Sequence, residues 1–140
     1  MPINGVVESK LRFLEQVLAD LESWPLGGLA EFARSSMLRR AVERALQLGV
    51  ESVIDVAERI LASKHLPPTD TAAQNFKRLQ EIGVLKDADR YAEMVHFRNF
   101  IVHRYEQIDA EIVYGLAKNK LGRFRDFTDE IRRACTGEMA

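Results

Sequence analysis

Residues 96–109, HFRNFIVHRYEQID, place ionisable side chains inside an otherwise apolar run. Arg98 and His103 stand five residues apart, and Tyr105 follows two residues after the histidine. Histidine can accept or donate a proton near neutral pH, and arginine can bind a phosphate through two parallel hydrogen bonds. These side chains suit RNA cleavage, in which the 2′-hydroxyl is the nucleophile and only proton transfer and charge stabilisation are required.

Arg98 occupies a position where a leucine would be expected, because the surrounding apolar residues recur at spacings of three and four: Ala88, Tyr91, Val95 and Val102. A buried guanidinium must meet an acid, carbonyl groups or a phosphate. The more common roles are structural: a salt bridge for such an arginine, and a helix-dipole partner for such a histidine. His103 falls about 140° from Arg98 on a regular helix. The two therefore meet only at a distorted helix end or across a groove lined from both sides.

The net charge of −1 excludes a protein that coats nucleic acid non-specifically, since such proteins carry a strong basic excess. One local excess remains in the segment KNKLGRFR, which holds Lys118, Lys120, Arg123 and Arg125 without an acid. A solvated helix face is the ordinary interpretation of this segment. A rim that contacts RNA phosphates is the alternative.

Other kinds of site find little support in the sequence. His65, His96 and His103 lack metal-ligand spacing with the cysteine or with paired carboxylates, so no metal site is predicted. There is no glycine loop that would cradle a phosphate, no serine or cysteine nucleophile in a recognisable setting, and no cofactor motif. The histidine, arginine and tyrosine remain as the candidate chemistry.

The length of 140 residues and the 46% hydrophobic content predict one domain, residues 1–140, with one core. The single cysteine, Cys135, indicates a reducing compartment. The first residues lack the pattern of a signal peptide, and no apolar stretch approaches the ~20 residues of a membrane span. A cytoplasmic protein without membrane contact is expected.

An all-α antiparallel bundle of about five helices is predicted, because no period-two run flanked by turns appears. Gly49 lies in mid-helix, which indicates close contact with a neighbouring helix or a bend. Thr69 or Asp70 is expected to cap the third helix, Asp87 the fourth and Asp109 the fifth. The first predicted helix carries an apolar stripe from Val7 to Leu21, and the second runs from Leu29 to about Ser63. The third holds residues 73–79, the fourth spans about 88–102, and the fifth continues from Asp109 through Ile131.

The motif Arg98-x4-His103-x-Tyr105 resembles the signature of HEPN domains in their HepT toxin form. Two further segments are similar to that family: RALQLGVESVIDVAERIL, residues 44–61, and YEQIDAEIVYGL, residues 105–116. The resemblance covers most of the chain from the second helix onward.

This resemblance implies a metal-independent ribonuclease toxin that is neutralised by an MntA-like nucleotidyltransferase antitoxin through AMPylation. Arg98 and His103 would be the catalytic pair, Asn99 a supporting residue, and Tyr105 the modified residue. The resemblance also implies a homodimer in which two motifs line one cleft. Apolar surface on the fourth helix supports that homodimer and is expected at Tyr91, Met94, Val95 and Ile101.

A second hypothesis is a non-catalytic helical partner or regulator of a minimal nucleotidyltransferase, with Arg98 and His103 contacting a nucleotide. The intact motif favours the nuclease. The near-neutral charge favours the binding partner, since attraction of RNA would depend on the motif and on residues 118–125 alone.

Overall fold

Helices account for the regular structure in a computed structural model that describes residues 5–67, 69–103 and 109–137, with side chains in these ranges except at 99–103 and 136–137. These residues form no strand, as predicted. The seven helices are α1 (Gly5–Ser23), α2 (Leu29–Arg34), α3 (Ser36–Ser63), α4 (Ala72–Glu81), α5 (Asp89–His103), α6 (Ala110–Asn119) and α7 (Leu121–Gly137).

Two of the predicted helices are each divided in two. The prediction of one helix from Leu29 to Ser63 is wrong, because Ser35 adopts an extended backbone and its hydroxyl accepts a hydrogen bond from the Leu38 N–H, which starts α3. The helix predicted from Asp109 through Ile131 is also two helices, because α6 ends at Asn119 and α7 begins after Lys120. Arg98 is unaffected, since its helix begins and ends within one residue of the predicted bounds.

The helix caps agree with the sequence at two of three places. The Asp109 carboxylate accepts a hydrogen bond from the Glu111 N–H at 2.9 Å, as predicted for the start of α6. The Asp87 carboxylate accepts one from the Asp89 N–H at 3.1 Å where α5 begins. The cap of α4 is Thr71 rather than Thr69 or Asp70. Thr69 is engaged elsewhere, because its N–H and its hydroxyl both donate to the buried Asn75 side chain.

Contacts between residues fix the relative directions of four long helices. In each contacting pair, a residue further along one helix meets a residue earlier on the other, so α1 is antiparallel to α3 and α7, and α7 is antiparallel to α5. Helix α5 is therefore antiparallel to α3. The contacts are Lys10–Asp55 and Leu14–Gly49 for α1 and α3, Glu8–Arg132 and Glu22–Arg125 for α1 and α7, and Tyr91–Glu130 and Glu93–Arg123 for α5 and α7.

The core contains buried apolar side chains from all seven helices. Near the start of α5, Phe76, Tyr91 and Phe127 pack with ring centroids 5.4–6.4 Å apart. The Tyr91 hydroxyl donates a hydrogen bond to the Glu130 carboxylate, which also accepts from the Lys86 N–H. Burial, together with that carboxylate, raises the pKa of Tyr91. The start of α5 is thus fixed to α7 by both packing and hydrogen bonds.

Gly49 allows a close approach between helices in the middle of the bundle. A Cβ atom added there would lie 3.1 Å from Cε1 of Phe124 and 3.5 Å from Cδ1 of Leu14. The close contact predicted from the sequence is confirmed, and α3 continues through this position without a break. The glycine therefore brings α1 and α7 against the backbone of α3.

Arg132 on α7 joins two carboxylates of α1. It donates to Glu8 at 2.8 Å and to Glu15 at 2.9 and 3.0 Å. These hydrogen bonds lower the pKa of both glutamates, although partial burial opposes the shift. The contact fastens the first helix of the chain to the last.

Replacing Gly49 with leucine should destabilise the fold by about 1–3 kcal/mol, because the added atoms overlap Phe124 and Leu14 in a packed core. The free energy of unfolding from a urea titration measures this effect. Gly115→Ala is the control, since an added Cβ there meets nothing within 4 Å, and it should stabilise α6 by up to ~1 kcal/mol. A Gly49→Leu variant as stable as the wild type would contradict the close approach.

Candidate functional site

Helix α5 presents a buried face that differs from the predicted stripe. The buried residues recur every three positions along α5 and the turn before it: Ala88, Tyr91, Met94 and Phe97. Phe97, rather than Arg98, thus takes the core position in the third turn. Arg98 and Val95 lie at the margin of this face and are half-buried. The prediction that Arg98 occupies a position of the apolar stripe is therefore wrong by one residue, since Phe97 holds that position.

The guanidinium of Arg98 nevertheless has a buried atom without a partner. Its Nε is shielded from solvent and has no hydrogen-bond acceptor in the part of the chain that the structure describes. No carboxylate among the described residues forms an ion pair with it. A buried donor left unsatisfied costs roughly 1–3 kcal/mol. Among the described residues, Arg98 thus lacks the carboxylate partner of the more common structural case, and its buried Nε suits an acceptor supplied by a ligand.

The remaining residues of the motif are described less completely. Asn99 and His103 belong to α5, which is helical through His103, but their side chains lie outside the described residues. Tyr105 lies outside them entirely. For the predicted catalytic pair, the structure therefore describes the side chain of Arg98 and the backbone of His103.

The basic segment 118–125 does not form one continuous surface. Arg123 is paired with Glu93 of α5, whereas Arg125 is paired with Glu22 of α1. The two arginines thus face different neighbours. Lys118 is exposed, with its Nζ 5.7 Å from the centre of the Tyr114 ring.

The four basic residues of this segment line two different clefts. Lys120 and Arg123 line a cleft together with Phe97, next to Arg98 in sequence, while Lys118 and Arg125 line another beside Trp24. Sequence reasoning missed the acidic partners, since Glu93 and Glu22 are distant in the chain and no local pattern announces them.

Two of the three tyrosines of the chain use their hydroxyls inside the fold. Tyr91 is 1% exposed and donates to Glu130. Tyr114 is half-buried and donates to the carbonyl oxygen of Gly27 at 2.8 Å. Modification of either hydroxyl would break a contact between helices or at the turn before α2.

The surface expected for dimerisation is smaller than predicted. Tyr91 and Met94 are buried in the core of their own chain, so they do not offer surplus apolar surface to a second copy. Val95 is half-buried, and the Ile101 side chain lies outside the described residues. That part of the argument for a dimer is wrong, and Val95 remains as a contributor.

Within the described ranges, no group of three or more His, Cys, Asp and Glu side chains is placed to hold a metal ion. None of the described helices is both long and apolar enough to cross a membrane.

Comparison with known proteins gives concordant matches. Residues 14–131 match the family described as "HepT-like: Ribonuclease HepT-like". The mRNA nuclease HepT of Shewanella oneidensis is 24% identical over 132 residues, which cover 93% of this chain and 98% of the relative. The tRNA nuclease HepT of Aphanizomenon flos-aquae is 26% identical over 111 residues, or 78% of this chain and 76% of the relative.

Among solved structures, the tri-AMPylated HEPN toxin of Shewanella oneidensis in complex with MNT antitoxin has the same fold. It superposes with a TM-score of 0.84 at 23% identity and covers 93% of this chain and 98% of that chain. The all-helical HEPN-like architecture expected from the motif is confirmed. Because the family match extends over most of the chain and includes Arg98 and His103, this protein belongs to the HepT-like ribonuclease family.

Proposed function

We propose that this chain is the toxin of a toxin–antitoxin pair and acts as an endoribonuclease with Arg98 and His103 at its active site. The observation that carries the proposal is the buried Nε of Arg98, which lacks an acceptor among the described residues and lies five residues before the motif histidine. A phosphate would supply the missing acceptor. Membership of the HepT-like family and the nuclease names of two relatives support RNA as the substrate.

The proposed reaction is cleavage by the ribose 2′-hydroxyl. The 2′-oxygen attacks the adjacent phosphorus, the bond from phosphorus to the 5′-oxygen breaks, and His103 transfers the proton lost by the nucleophile or gained by the leaving group. Arg98 binds the phosphate and offsets the charge that develops on its oxygens. The products are a 2′,3′-cyclic phosphate and a 5′-hydroxyl. These steps need no metal ion, because the nucleophile belongs to the substrate.

The active site is proposed to be a groove between two copies of the chain. Helix α5 extends through His103, so the two positions lie about 140° apart around a regular helix. Of the two arrangements that could bring them to one substrate, this helix favours a groove lined from both sides over a distorted helix end. Two motifs facing each other across a two-fold axis would line such a groove.

The partner is proposed to be an MntA-like nucleotidyltransferase antitoxin that AMPylates Tyr105. The similar Shewanella oneidensis toxin is tri-AMPylated and in complex with MNT antitoxin, which supports this partner. Tyr91 and Tyr114 are less suitable acceptors, because their hydroxyls are engaged within the fold. A phosphodiester beside His103 would repel RNA phosphates and compete for Arg98.

Sedimentation at micromolar concentration should show a homodimer, because one copy of the motif cannot line both sides of the proposed groove. A strictly monomeric species that still cleaves RNA would reject the composite site and leave the assignment of Arg98 and His103 standing.

Arg98→Gln and His103→Ala should each reduce RNA cleavage by about 10²–10⁴-fold, the usual cost of losing a positioned catalytic group. Cleavage is measured on total RNA with a chelator present, and the new ends are tested for 5′-hydroxyls. His96→Ala is the matched control, since His96 is an exposed histidine on the same helix. Full activity of His103→Ala would refute the mechanism. Loss of helicity in Arg98→Gln would assign that arginine to the fold.

Tyr105→Phe should remain folded and escape modification when the chain is coexpressed with a nucleotidyltransferase antitoxin, because it lacks the acceptor hydroxyl. Intact mass should report the added AMP groups on the wild type, and peptide sequencing should place them on Tyr105. AMP on Tyr114 with Tyr105 untouched would reject the assignment. A wild-type chain that is AMPylated but never cleaves RNA would favour the non-catalytic partner.

A further inference from the structure

Arg98 is one of two arginines with the same unusual feature. Among the described residues, two buried side-chain nitrogen or oxygen atoms lack a hydrogen-bond partner, and both are arginine Nε atoms, at Arg98 and Arg39. Arg39 is half-buried and forms no ion pair with a carboxylate in the described ranges. At both positions, a buried donor without an acceptor lowers the stability of the folded state. An anionic ligand bound between them would supply both missing acceptors.

Arg39 lies on the face of α3 that packs against α5. Residues spaced by four, three and four share one side of a helix, which places Arg39, Glu43, Leu46 and Val50 in a single row. Leu46 and Val50 line a cleft with three residues of α5, Glu93, Met94 and Phe97. The row that begins at Arg39 therefore points toward the helix that carries the motif.

The antiparallel packing of α3 and α5 determines which turn of α5 lies beside Arg39. Because α3 and α5 are antiparallel, moving from Leu46 toward the start of α3 corresponds to moving from Phe97 toward the end of α5. Arg39 stands seven residues before Leu46, or about 10 Å along the helix, and His103 stands six residues after Phe97, or about 9 Å. Arg39 is thus level with the last turn of α5.

Glu43, the acidic neighbour of Arg39, interacts with its charge but forms no ion pair with it among the described contacts. Glu43 follows one turn later on the same row, and burial raises the pKa of this carboxyl while Arg39 and Arg40 oppose that shift. A positive group remains available beside the proposed catalytic residues.

We propose that Arg39 is a second phosphate-binding residue of the nuclease site and contacts an RNA phosphate next to the one held by Arg98. This inference rests on the proposed ribonuclease function. A guanidinium offers five N–H donors in a planar arrangement, so it can hold a phosphodiester at two oxygens. Arg39 would then set the register of the strand, while Arg98 and His103 act at the cleaved bond.

The test compares Arg39→Gln with Arg40→Gln. Arg40 is the adjacent, exposed arginine, so both variants lose the same charge from the same helix turn. Binding of a fully 2′-O-methylated RNA oligonucleotide, which lacks the nucleophile, is measured across a salt series. Loss of one phosphate contact on a single strand should reduce the slope of log K against log salt by about 0.7 in Arg39→Gln. Arg40→Gln should keep the wild-type slope.

Cleavage kinetics supply the second measurement. Arg39→Gln should raise KM about tenfold or more and change kcat by less than threefold, because the proposed contact binds the strand and does not touch the reacting atoms. Arg39→Lys should keep the salt slope yet raise KM, since an ammonium retains the charge but loses the two-point contact. This variant also decides the matter if Arg39→Gln fails to fold.

The outcomes separate the two claims. A wild-type chain that cleaves RNA, with Arg39 variants equal to Arg40→Gln in slope and KM, would overturn the role of Arg39 alone. A wild-type chain that neither binds nor cleaves RNA would overturn the ribonuclease function and this inference together.

Discussion

The bundle depends on one helix that every other helix touches. Helix α3, with 28 residues, packs against α1, α2, α4, α5, α6 and α7. This arrangement requires the backbone of α3 to be approached closely near its centre, and Gly49 meets that requirement by leaving room for Phe124 and Leu14. A side chain at this point would separate α1 and α7 from α3. The relative positions of α5 and α7, and hence of the proposed site, follow from this packing.

The first turns of helix α5 pack in the core, and the motif follows them. Its first turns are held in the core by Tyr91, Met94 and Phe97, and the bond from Tyr91 to Glu130 ties them to α7. The motif begins at Arg98, directly after the last of these core residues. A helix start held by packing and by hydrogen bonds therefore precedes the motif, which is what the proposed catalytic arginine and histidine require for their positioning.

The sequence predicted those features whose causes are local. The helical periodicity, the cap at Asp109 and the crowded glycine at position 49 each depend on residues within a few turns of one another. The breaks at Ser35 and Lys120 were missed, because apolar spacing continues across them. The burial of Tyr91 and Met94 and the pairing of Arg123 with Glu93 were missed for another reason. They depend on which helices become neighbours, and periodicity within one helix does not contain that information.

The buried Nε atoms of Arg39 and Arg98, which lack acceptors among the described residues, have a thermodynamic consequence for the folded protein. A buried donor without an acceptor leaves the folded state less stable than its packing alone would make it. An anion that binds there and not to the unfolded chain stabilises the protein by mass action, in proportion to the logarithm of its concentration. Ligand occupancy and resistance to heat are then linked quantities. A cell holding much of the bound form would contain a longer-lived protein than one holding the free form.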